Sequence, residues 1–504
     1  PTSFATSVGA WWNNSSYKEA RLAEERLLRR LPTFVPPAEP QAQGSWFGWG
    51  SAKSNEAEVV AEATAPAPEN GLVATLKNVF IPSPNPADAP ANPTDLYIDT
   101  TSPASSTTSF GREKKQHFRK VKEGKLVDYI NTLEVSTKAN AASKEGVVVL
   151  HGYAAALGFF FRNWQPISEA GAASHRRTFF LDWLGMGLSS RPSPSLLAAP
   201  SNATLETRVS TAENFFLASL ESWRIAAGLD KMLLVGHSLG GYLISAYAVR
   251  YPERVSGLIL VSPAGIPHGP KEGFGVIKKN SGPTGPGGKK WKDGKEMEEE
   301  VDVAERELME DERETMNASA KANGKPEASG EAKEWQKKQE ASFFRRNASK
   351  AFVWGWEKGL SPFSVLRAMG PWGPMMVGGY SRRRFAAQSE EDVRDLHNYI
   401  YNTSIMKGSG EYCISHILAP GAHARTPIVD RIGKVKVPVT FLYGDNDWMD
   451  MKGGHASVVE LNKAGNTKAR VHVVPKAGHH VYLDNPDETN RIIQEAIQSI
   501  PLTA

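Results

Sequence analysis

The 504-residue sequence has little cysteine, little net charge and no long apolar run, and each shortage excludes a class of protein. Its single cysteine, Cys413, excludes an intrachain disulfide framework and a cysteine-cluster metal site. The 59 basic and 55 acidic side chains leave a net charge of +4, which argues against a nucleic-acid-binding protein with a strong overall basic field. The longest nearly apolar run, residues 147–161, is shorter than the roughly 20 residues of a membrane-spanning helix. We therefore expect no transmembrane helix, no metal and no nucleic-acid partner.

The first 35 residues are predicted to form an amphipathic segment. Residues 17–31 place leucines at helical spacing among Arg and Glu, after the pair Trp11-Trp12. Two interpretations remain open: a helix docked on the domain, or a helix in a membrane interface anchored by the tryptophans. An uninterrupted apolar stretch is missing and three glutamates are present, so this segment is not typical of a secretory signal.

The rest of the chain divides by composition into five further segments. The predicted segments are a low-complexity linker at 36–120, a first core piece at 121–270, a charged disordered insertion at 271–350, a cap at 351–431 and a second core piece at 432–504. The cap is rich in Trp, Phe and Met, which suits the cover of an apolar cavity. Its Arg382-Arg383-Arg384 run is either a phosphate contact or a solvated basic face.

Short β-branched runs alternate with helical patterns in the two core pieces. The predicted strands are 125–129 paired with 131–136, then 146–150, 177–182, 231–235, 257–261, 437–443 and 469–474. Helices are predicted at 211–227, 240–250 and 486–500. This alternation predicts an α/β fold with a mostly parallel central sheet and helices on both faces.

The sequence Gly236-His237-Ser238-Leu239-Gly240 matches G-x-S-x-G and lies between a predicted strand and a predicted helix. A serine at such a sharp turn needs small residues two positions away on either side, where the backbone approaches closely. Ser238 is therefore the candidate nucleophile.

A serine nucleophile needs a base, and an acid to orient that base. Asp447 follows the strand at 437–443 and is the first choice for the acid, with Asp450 as the alternative. His479 follows the last strand and is the candidate base, with His480 as the alternative. The isolated histidines His397, His416, His423 and His455 lack the paired spacing of metal ligands.

Acyl transfer also needs hydrogen-bond donors aimed at the developing oxyanion. The loop His151-Gly152-Tyr153 follows the strand at 146–150. The backbone N–H groups of Tyr153 and Leu239 are the expected pair, so the identity of the Tyr153 side chain is not required for this role.

The chain resembles an α/β-hydrolase subfamily. This subfamily contains the N-acylphosphatidylethanolamine lipase, a catalytically silent lipid-droplet coactivator of triglyceride lipase, and the fungal mitochondrial cardiolipin-specific deacylases. The matching stretches are 12–31, 151–164, Asp182 to Pro192, Glu221 to Arg224, Gly236 to Gly241, Gly370 to Pro374 and His479 to Asp484. The resemblance implies the α/β-hydrolase fold with an inserted helical cap. Ser238 is present where the coactivator branch has lost its serine, which implies an active hydrolase without a cofactor.

The resemblance also implies a substrate class and a location. We expect a serine phospholipase that deacylates a glycerophospholipid, most closely a cardiolipin deacylase, attached peripherally to the mitochondrial inner membrane; cytoplasm or lipid droplet is the alternative. His479 and Asp484 form the H-x4-D pattern that this subfamily links to lysophosphatidic acid acyltransfer from acyl-CoA. An acyltransferase, an N-acylphosphatidylethanolamine lipase and a non-catalytic lipid-surface scaffold are the alternatives. Members differ in whether the acid lies three or six residues after the glycine, and this chain has both Asp447 and Asp450.

Overall fold

The computed structural model describes residues 4–12, 16–36, 71–95, 128–194, 197, 199, 202–269, 352–385 and 388–502. The charged insertion predicted at 271–350, and most of the linker predicted at 36–120, lie outside these residues.

Within the described residues the core is one eight-stranded sheet with the strand order β1-β2-β4-β3-β5-β6-β7-β8. The strands are β1 (Val73–Ile81), β2 (Asp128–Ser136), β3 (Glu145–Leu150), β4 (Arg177–Leu181), β5 (Lys231–His237), β6 (Val255–Val261), β7 (Val439–Gly444) and β8 (Ala469–Val474). Strand β2 runs antiparallel to β1 and to β4, and all other neighbouring strands are parallel. This is the mostly parallel sheet expected from the sequence.

Helices cover both faces of the sheet and form a cap between β6 and β7. The helices are α1 (Phe4–Trp12), α2 (Ser16–Leu28), α3 (Trp164–Ala173), α4 (Leu205–Ala226), α5 (Leu239–Arg250), α6 (Pro362–Ala368), α7 (Trp372–Arg384), α8 (Glu390–Ile405), α9 (Ile414–Ile417), α10 (Met451–Lys463), α11 (Val481–Asp484) and α12 (Pro486–Ser499). Residues 352–357 are also helical. No helix within the described ranges combines the length and apolarity needed to cross a membrane.

Burial on both faces explains the near-continuous apolar runs of the central strands. Along β3, Val148 and Leu150 belong to the core cluster that includes side chains of α4 and α5. The alternate residues, Val147 and Val149, belong to the cluster that includes side chains of α2, α3 and α12. Each central strand therefore contributes to two hydrophobic cores.

The first two strands differ from their prediction. Residues 128 and 129, the described part of the strand predicted at 125–129, continue into residues 131–136 as the single strand β2, whose partners are β1 and β4. Residues 73–81, inside the predicted linker, form β1 and pair with β2 along its whole length. The linker prediction is therefore wrong for this strand, which extends the edge of the sheet.

Helix α2 is docked on the domain. Its residues Ala20, Ala23, Leu27 and Leu28 are fully buried in the cluster formed with the sheet. By contrast, α1 packs on cap helix α7 and leaves Trp12 77% exposed. Of the two interpretations left open for residues 17–31, docking on the domain describes α2.

A buried polar cluster joins α2 to the core and the cap. The Glu24 carboxylate accepts hydrogen bonds from Arg21 (2.9 Å), from Asn131 of β2 (3.0 Å) and from the Tyr399 hydroxyl of α8 (2.9 Å). Burial raises the pKa of Glu24 to about 7, and the negative charge of Asp182 adds to this while Arg21 opposes it. Glu24 is therefore partly protonated near neutral pH, and its carboxyl group links α2 to the sheet and to the cap.

The raised pKa predicts a pH-dependent stability. A carboxyl whose pKa is higher in the folded than in the unfolded chain stabilises the folded state below its unfolded pKa, and this stabilisation is lost as pH rises through the folded pKa. Ionisation of Glu24 should therefore lower the free energy of unfolding by about 2–3 kcal/mol as the pH rises from 4.5, the pKa of the unfolded chain, to 7. Denaturant unfolding of wild type and Glu24→Gln at both pH values measures this. The free energy of unfolding of wild type, relative to that of Glu24→Gln, should fall by this amount from pH 4.5 to pH 7.

The neighbouring Glu25→Gln is the matched control, because Glu25 lies on the same helix with a partly exposed side chain paired to Arg29. Its difference from wild type should stay small throughout. A flat difference curve for Glu24→Gln over the same range would contradict the prediction.

Candidate active site

Ser238 lies at the turn between β5 and α5 in a backbone conformation that few residues adopt. Its φ of 52° and ψ of −119° lie outside the usual regions, which costs roughly 1–3 kcal/mol and persists only when neighbours enforce it. Its amide donates to the carbonyl of Val261 in β6 at 2.9 Å, fixing the turn to the adjacent strand. The side chain is placed at the carboxyl ends of the central strands, where ligands of open α/β sheets bind.

The two glycines of the motif are required by close backbone contact. A Cβ on Gly236 would lie 2.7 Å from the carbonyl of Gly240, and one on Gly240 would lie 2.6 Å from the carbonyl oxygen of His151. These obstacles are backbone atoms, which cannot move aside as a flexible side chain could. These backbone contacts therefore explain why the motif has glycine two positions before and two positions after Ser238.

His479 lies against Asp447. The Nδ1 atom of His479 is 3.0 Å from Oδ1 of Asp447, and the Asp447 side chain is 1% exposed. With its proton on Nδ1, His479 donates to this carboxylate and leaves Nε2 free to accept a proton. The Asp447 Oδ1 atom also accepts the amide of Met449 at 3.0 Å, which fixes the carboxylate.

The other two acids of this loop have different contacts. Asp450 is exposed and caps helix α10, where it accepts the amide of Lys452 at 2.8 Å. Asp445 accepts the amides of Lys476 and Ala477 at 2.8 and 2.9 Å, and these bonds lower its pKa. Of the three carboxylates, the one in contact with His479 is that of Asp447.

His237, which directly precedes Ser238, links the loop that carries His479 to the turn that carries Ser238. Its Nε2 atom lies 3.0 Å from the carbonyl oxygen of His479, and the two imidazole rings are 4.8 Å apart. Burial and the proximity of His479 hold the pKa of His237 well below its usual value, so it acts as a neutral donor to that carbonyl. The alternative base His480 packs instead against Phe159, and burial lowers its pKa as well.

The loop after β3 passes directly beside Ser238. A Cβ on Gly152 would lie 2.8 Å from the Cβ of Ser238, so the loop backbone borders the nucleophile. Leu239 opens helix α5, where the first amides have no partner within the helix. The Tyr153 ring turns toward the cap and contacts Phe363 and Trp356 at 5.3 and 6.3 Å between ring centroids. The predicted oxyanion amides thus belong to backbone next to Ser238, and the Tyr153 side chain packs on the cap.

A small pocket opens beside this loop. Its walls are the loop after β3, a glycine-rich turn after β4, and cap residues from α6, α8 and the segment after α8. The lining residues are Tyr153, Ala154, Ala155, Gly185, Met186, Gly187, Arg191, Phe363, Thr403, Ser404 and Glu411. Sequence reasoning assigned no role to Arg191 or Glu411, although Arg191 belongs to the matching stretch 182–192.

Asp484 contacts the cap. Its Oδ1 atom accepts hydrogen bonds from both terminal nitrogens of Arg384 in α7 at 2.9 and 3.0 Å, and Oδ2 accepts the amide of Gly478 at 3.0 Å. Arg382 and Arg383 are exposed at the end of the same helix. The acid of the H-x4-D pattern thus joins the cap to the loop that carries His479.

Comparison with known proteins agrees with this architecture. The family model described as the alpha/beta hydrolase fold matches residues 146–286. The chain is 33% identical over 364 residues to the 1-acylglycerol-3-phosphate O-acyltransferase of Arabidopsis thaliana, covering 71% of this chain and 67% of that protein. It is 28% identical to the (lyso)-N-acylphosphatidylethanolamine lipase of Mus musculus, covering 73% and 83%. It is 27% identical to the 1-acylglycerol-3-phosphate O-acyltransferase ABHD5 of Sus scrofa, covering 72% and 80%.

Proposed function

The chain belongs to the α/β-hydrolase subfamily of the 1-acylglycerol-3-phosphate O-acyltransferases and the (lyso)-N-acylphosphatidylethanolamine lipases, and we propose that it is a serine acyl hydrolase of glycerophospholipids. Cardiolipin is the proposed substrate, on the resemblance to the cardiolipin deacylases. The same resemblance suggests the mitochondrial inner membrane as the site of action. The residues proposed to carry the reaction are Ser238, His479 and Asp447, with the amides of Tyr153 and Leu239.

The observation that carries this proposal is the contact of His479 with Asp447 in a loop fastened beside Ser238. A base is useful only if its ring is held in one orientation and tautomer, which a buried carboxylate on Nδ1 achieves. The hydrogen bond between His237 and the His479 carbonyl ties this base to the residue next to the nucleophile. A serine in a strained turn, with such a base within the same small region, is the arrangement of an acyl-enzyme catalyst.

The chemistry follows from these positions. Ser238 Oγ attacks the ester carbonyl while its proton passes to Nε2 of His479, and Asp447 stabilises the resulting imidazolium. The amides of Tyr153 and Leu239 stabilise the negative charge on the carbonyl oxygen. Collapse breaks the ester bond, and the lysolipid alcohol leaves with the proton from His479. Water then attacks the acyl-enzyme by the same steps in reverse order, releasing the fatty acid.

Exposed aromatic side chains on α1 and α7 support binding at a lipid surface. Trp12 and Trp372 are 77% and 51% exposed, and the two helices pack on each other. Arg382 and Arg383 at the end of α7 provide positive charge for anionic headgroups. Exposed apolar groups beside basic ones are typical of peripheral membrane binding, and we propose that this face contacts the membrane.

Acyl transfer to lysophosphatidic acid is the second candidate function. The plant and mammalian relatives named as acyltransferases favour it. The two activities share the acyl-enzyme on Ser238 and differ in whether water or a lysophospholipid hydroxyl attacks it. Acyl-CoA would then be the donor, and its thioester would react with Ser238 in the same way as a lipid ester.

Substitution of each aspartate separates the two candidate acids. Asp447→Asn should lower kcat for fatty acid release from cardiolipin vesicles by at least about 100-fold, since the amide no longer stabilises the imidazolium. Asp450→Asn is the matched control and should stay within about threefold of wild type, because Asn caps a helix about as well as Asp. Ser238→Ala defines complete loss, and phosphatidylcholine vesicles test the preference for cardiolipin.

The reverse ranking of the two aspartates would overturn the assignment of Asp447. Equal turnover of phosphatidylcholine and cardiolipin by wild type would overturn the proposed substrate while leaving the hydrolase intact. Hydrolysis that persists in Ser238→Ala would overturn the mechanism.

Substitutions at Asp484 and at its partner Arg384 test the acyltransferase alternative. Because Asp484 pairs with Arg384, Asp484→Asn and Arg384→Gln should both weaken the same contact between cap and histidine loop. We expect both variants to lower hydrolysis and acyl transfer together, by about three- to tenfold, as for a partly exposed ion pair of about 1 kcal/mol. Parallel assays with cardiolipin and with lysophosphatidic acid plus acyl-CoA would measure this. Loss of transfer alone in Asp484→Asn, with Arg384→Gln unaffected, would assign Asp484 to acyl transfer.

Substitution of the exposed tryptophans tests the proposed membrane-binding face. The double variant Trp12→Ser, Trp372→Ser should bind cardiolipin-containing vesicles about tenfold more weakly in a sedimentation assay, because about 1 kcal/mol or more of apolar burial is lost. Phe80→Ser is the matched control, since Phe80 is 57% exposed on edge strand β1. Deletion of the whole N-terminal segment is unsuitable because α2 is part of the core. Equal binding by the double variant and wild type would contradict the proposal.

A further inference from the structure

The pocket beside the loop after β3 is lined by one cationic and one anionic side chain. Arg191 and Glu411 line it, and Arg367 lies behind Glu411. The Glu411 carboxylate is occupied, because it pairs with Arg367 and also accepts the Ser361 hydroxyl at 2.7 Å. Arg191 makes no ion pair with a carboxylate of any described residue. Its nearest negative charges are Glu411 and the buried Asp182, and the latter is itself held by backbone amides.

Arg191 has hydrogen-bond capacity left over. Its terminal nitrogens donate to the carbonyls of Gly187 (2.8 Å), Lys407 (3.1 Å) and Thr403 (3.3 Å), which hold the guanidinium in place. Its Nε–H is buried and finds no acceptor among the described residues. Burial lowers the pKa of Arg191 to about 10, so the group remains charged at neutral pH. A charged guanidinium held in the wall of a pocket is suited to binding an anion.

The pocket also has hydroxyl groups, which can donate hydrogen bonds to a phosphate. The hydroxyl-bearing residues Thr403 and Ser404 lie on the α8 wall of the pocket. Another part of the lining, Tyr153 to Ala155, belongs to the loop that borders Ser238. An anion on Arg191 would therefore lie next to the loop that is proposed to hold the reacting carbonyl. In a glycerophospholipid the phosphate and the acyl ester are joined through the short glycerol unit, which fits this proximity.

We propose that Arg191 and this pocket form the subsite for the phosphate of the glycerophospholipid substrate. This inference rests on the proposed function and assigns the headgroup a place within the same site. Arg191 is thereby distinguished from the Arg382-Arg383-Arg384 run, in which Arg384 is paired with Asp484 and the other two are exposed. A phosphate monoester, as in lysophosphatidic acid, and a diester, as in cardiolipin, share the chemistry that the pocket recognises.

Equilibrium binding of a soluble headgroup tests the subsite independently of catalysis. Calorimetry on the full chain carrying Ser238→Ala would measure binding of glycerol 3-phosphate, a monoester, and of glycerophosphoglycerol, a diester. Adding Arg191→Gln should weaken binding of the preferred probe at least tenfold, and Arg191→Lys should give an intermediate loss. Arg470→Gln, at an exposed arginine on edge strand β8, is the matched control and should leave the affinity unchanged. The tighter of the two probes identifies the phosphate type.

A second variant guards against a folding defect, because Arg191 also holds three backbone carbonyls. Ser404→Glu places a negative charge in the pocket without removing those bonds, and it should weaken binding to a similar degree. In otherwise wild-type protein, both Arg191→Gln and Ser404→Glu should raise KM for cardiolipin about tenfold while hydrolysis of the neutral ester p-nitrophenyl butyrate stays within about threefold.

The outcomes of this experiment separate the two proposals. Unchanged phosphate binding in both Arg191→Gln and Ser404→Glu, or absence of binding to the Ser238→Ala protein, would overturn the subsite. Headgroup binding that depends on Arg191 in a protein that hydrolyses neither ester would retain the subsite and overturn the proposed hydrolase.

Discussion

The buried carboxylate of Asp182 is the interaction on which both the pocket and the loop beside Ser238 depend. The side chain has no exposed surface, and a buried charge is tolerated only when hydrogen bonds replace its lost water. Its Oδ1 atom accepts the amide of Leu157 at 2.7 Å, and Oδ2 accepts the amide of Leu188 at 2.8 Å and the side chain of Asn131 at 2.9 Å. These donors come from the end of the loop after β3, from the glycine turn and from β2. Satisfying one charge therefore fixes two walls of the pocket.

The same requirement extends outward to the N-terminal helix and the cap. Asn131 donates to Glu24 as well as to Asp182, and Tyr399 of the cap donates to Glu24. The Tyr399 hydroxyl also accepts the amide of Gly158, which again belongs to the loop after β3. A Cβ on Gly187 would lie 2.2 Å from the Asp182 carboxyl carbon, so only glycine allows the turn to close over the charge. The polar cluster explains why a helix far upstream in sequence is part of the catalytic domain.

The sequence predicted those features that depend on local contacts. The spacing of Gly236 and Gly240 around Ser238 reflects backbone contacts within one turn, and the buried runs of β3, β5 and β6 reflect covered faces. Strand β1 was missed because it is an edge strand with mostly half-exposed residues, and its pairing depends on a strand about 50 residues downstream. Asp447 and Asp450 could not be distinguished, because spacing does not determine which carboxylate turns toward a histidine about 30 residues later.

Arg191 illustrates the same limit. Its stretch matched the subfamily, yet its surroundings come from Glu411, Thr403 and Lys407, more than 200 residues downstream. A charge that lacks a counter-ion can be recognised only when all of its neighbours are known. The possible role of Arg191 therefore becomes visible only in the folded structure, and the local sequence pattern does not predict it.

The H-x4-D pattern by itself does not distinguish a hydrolase from an acyltransferase in this fold. His479 is in contact with Asp447, as either reaction requires, and Asp484 is bound to Arg384 and Gly478. Both residues of the pattern thus have contacts that do not depend on which nucleophile attacks the proposed acyl-enzyme.

The two proposed reactions differ in the competition between water and a lysophospholipid hydroxyl for the carbonyl of that acyl-enzyme. A subsite that holds the phosphate of a lysophospholipid beside the acyl-enzyme would favour transfer through proximity, whereas rapid release of the lysophospholipid would favour hydrolysis. If the proposed subsite binds the headgroup, its retention, more than the motif, would decide between the two reactions.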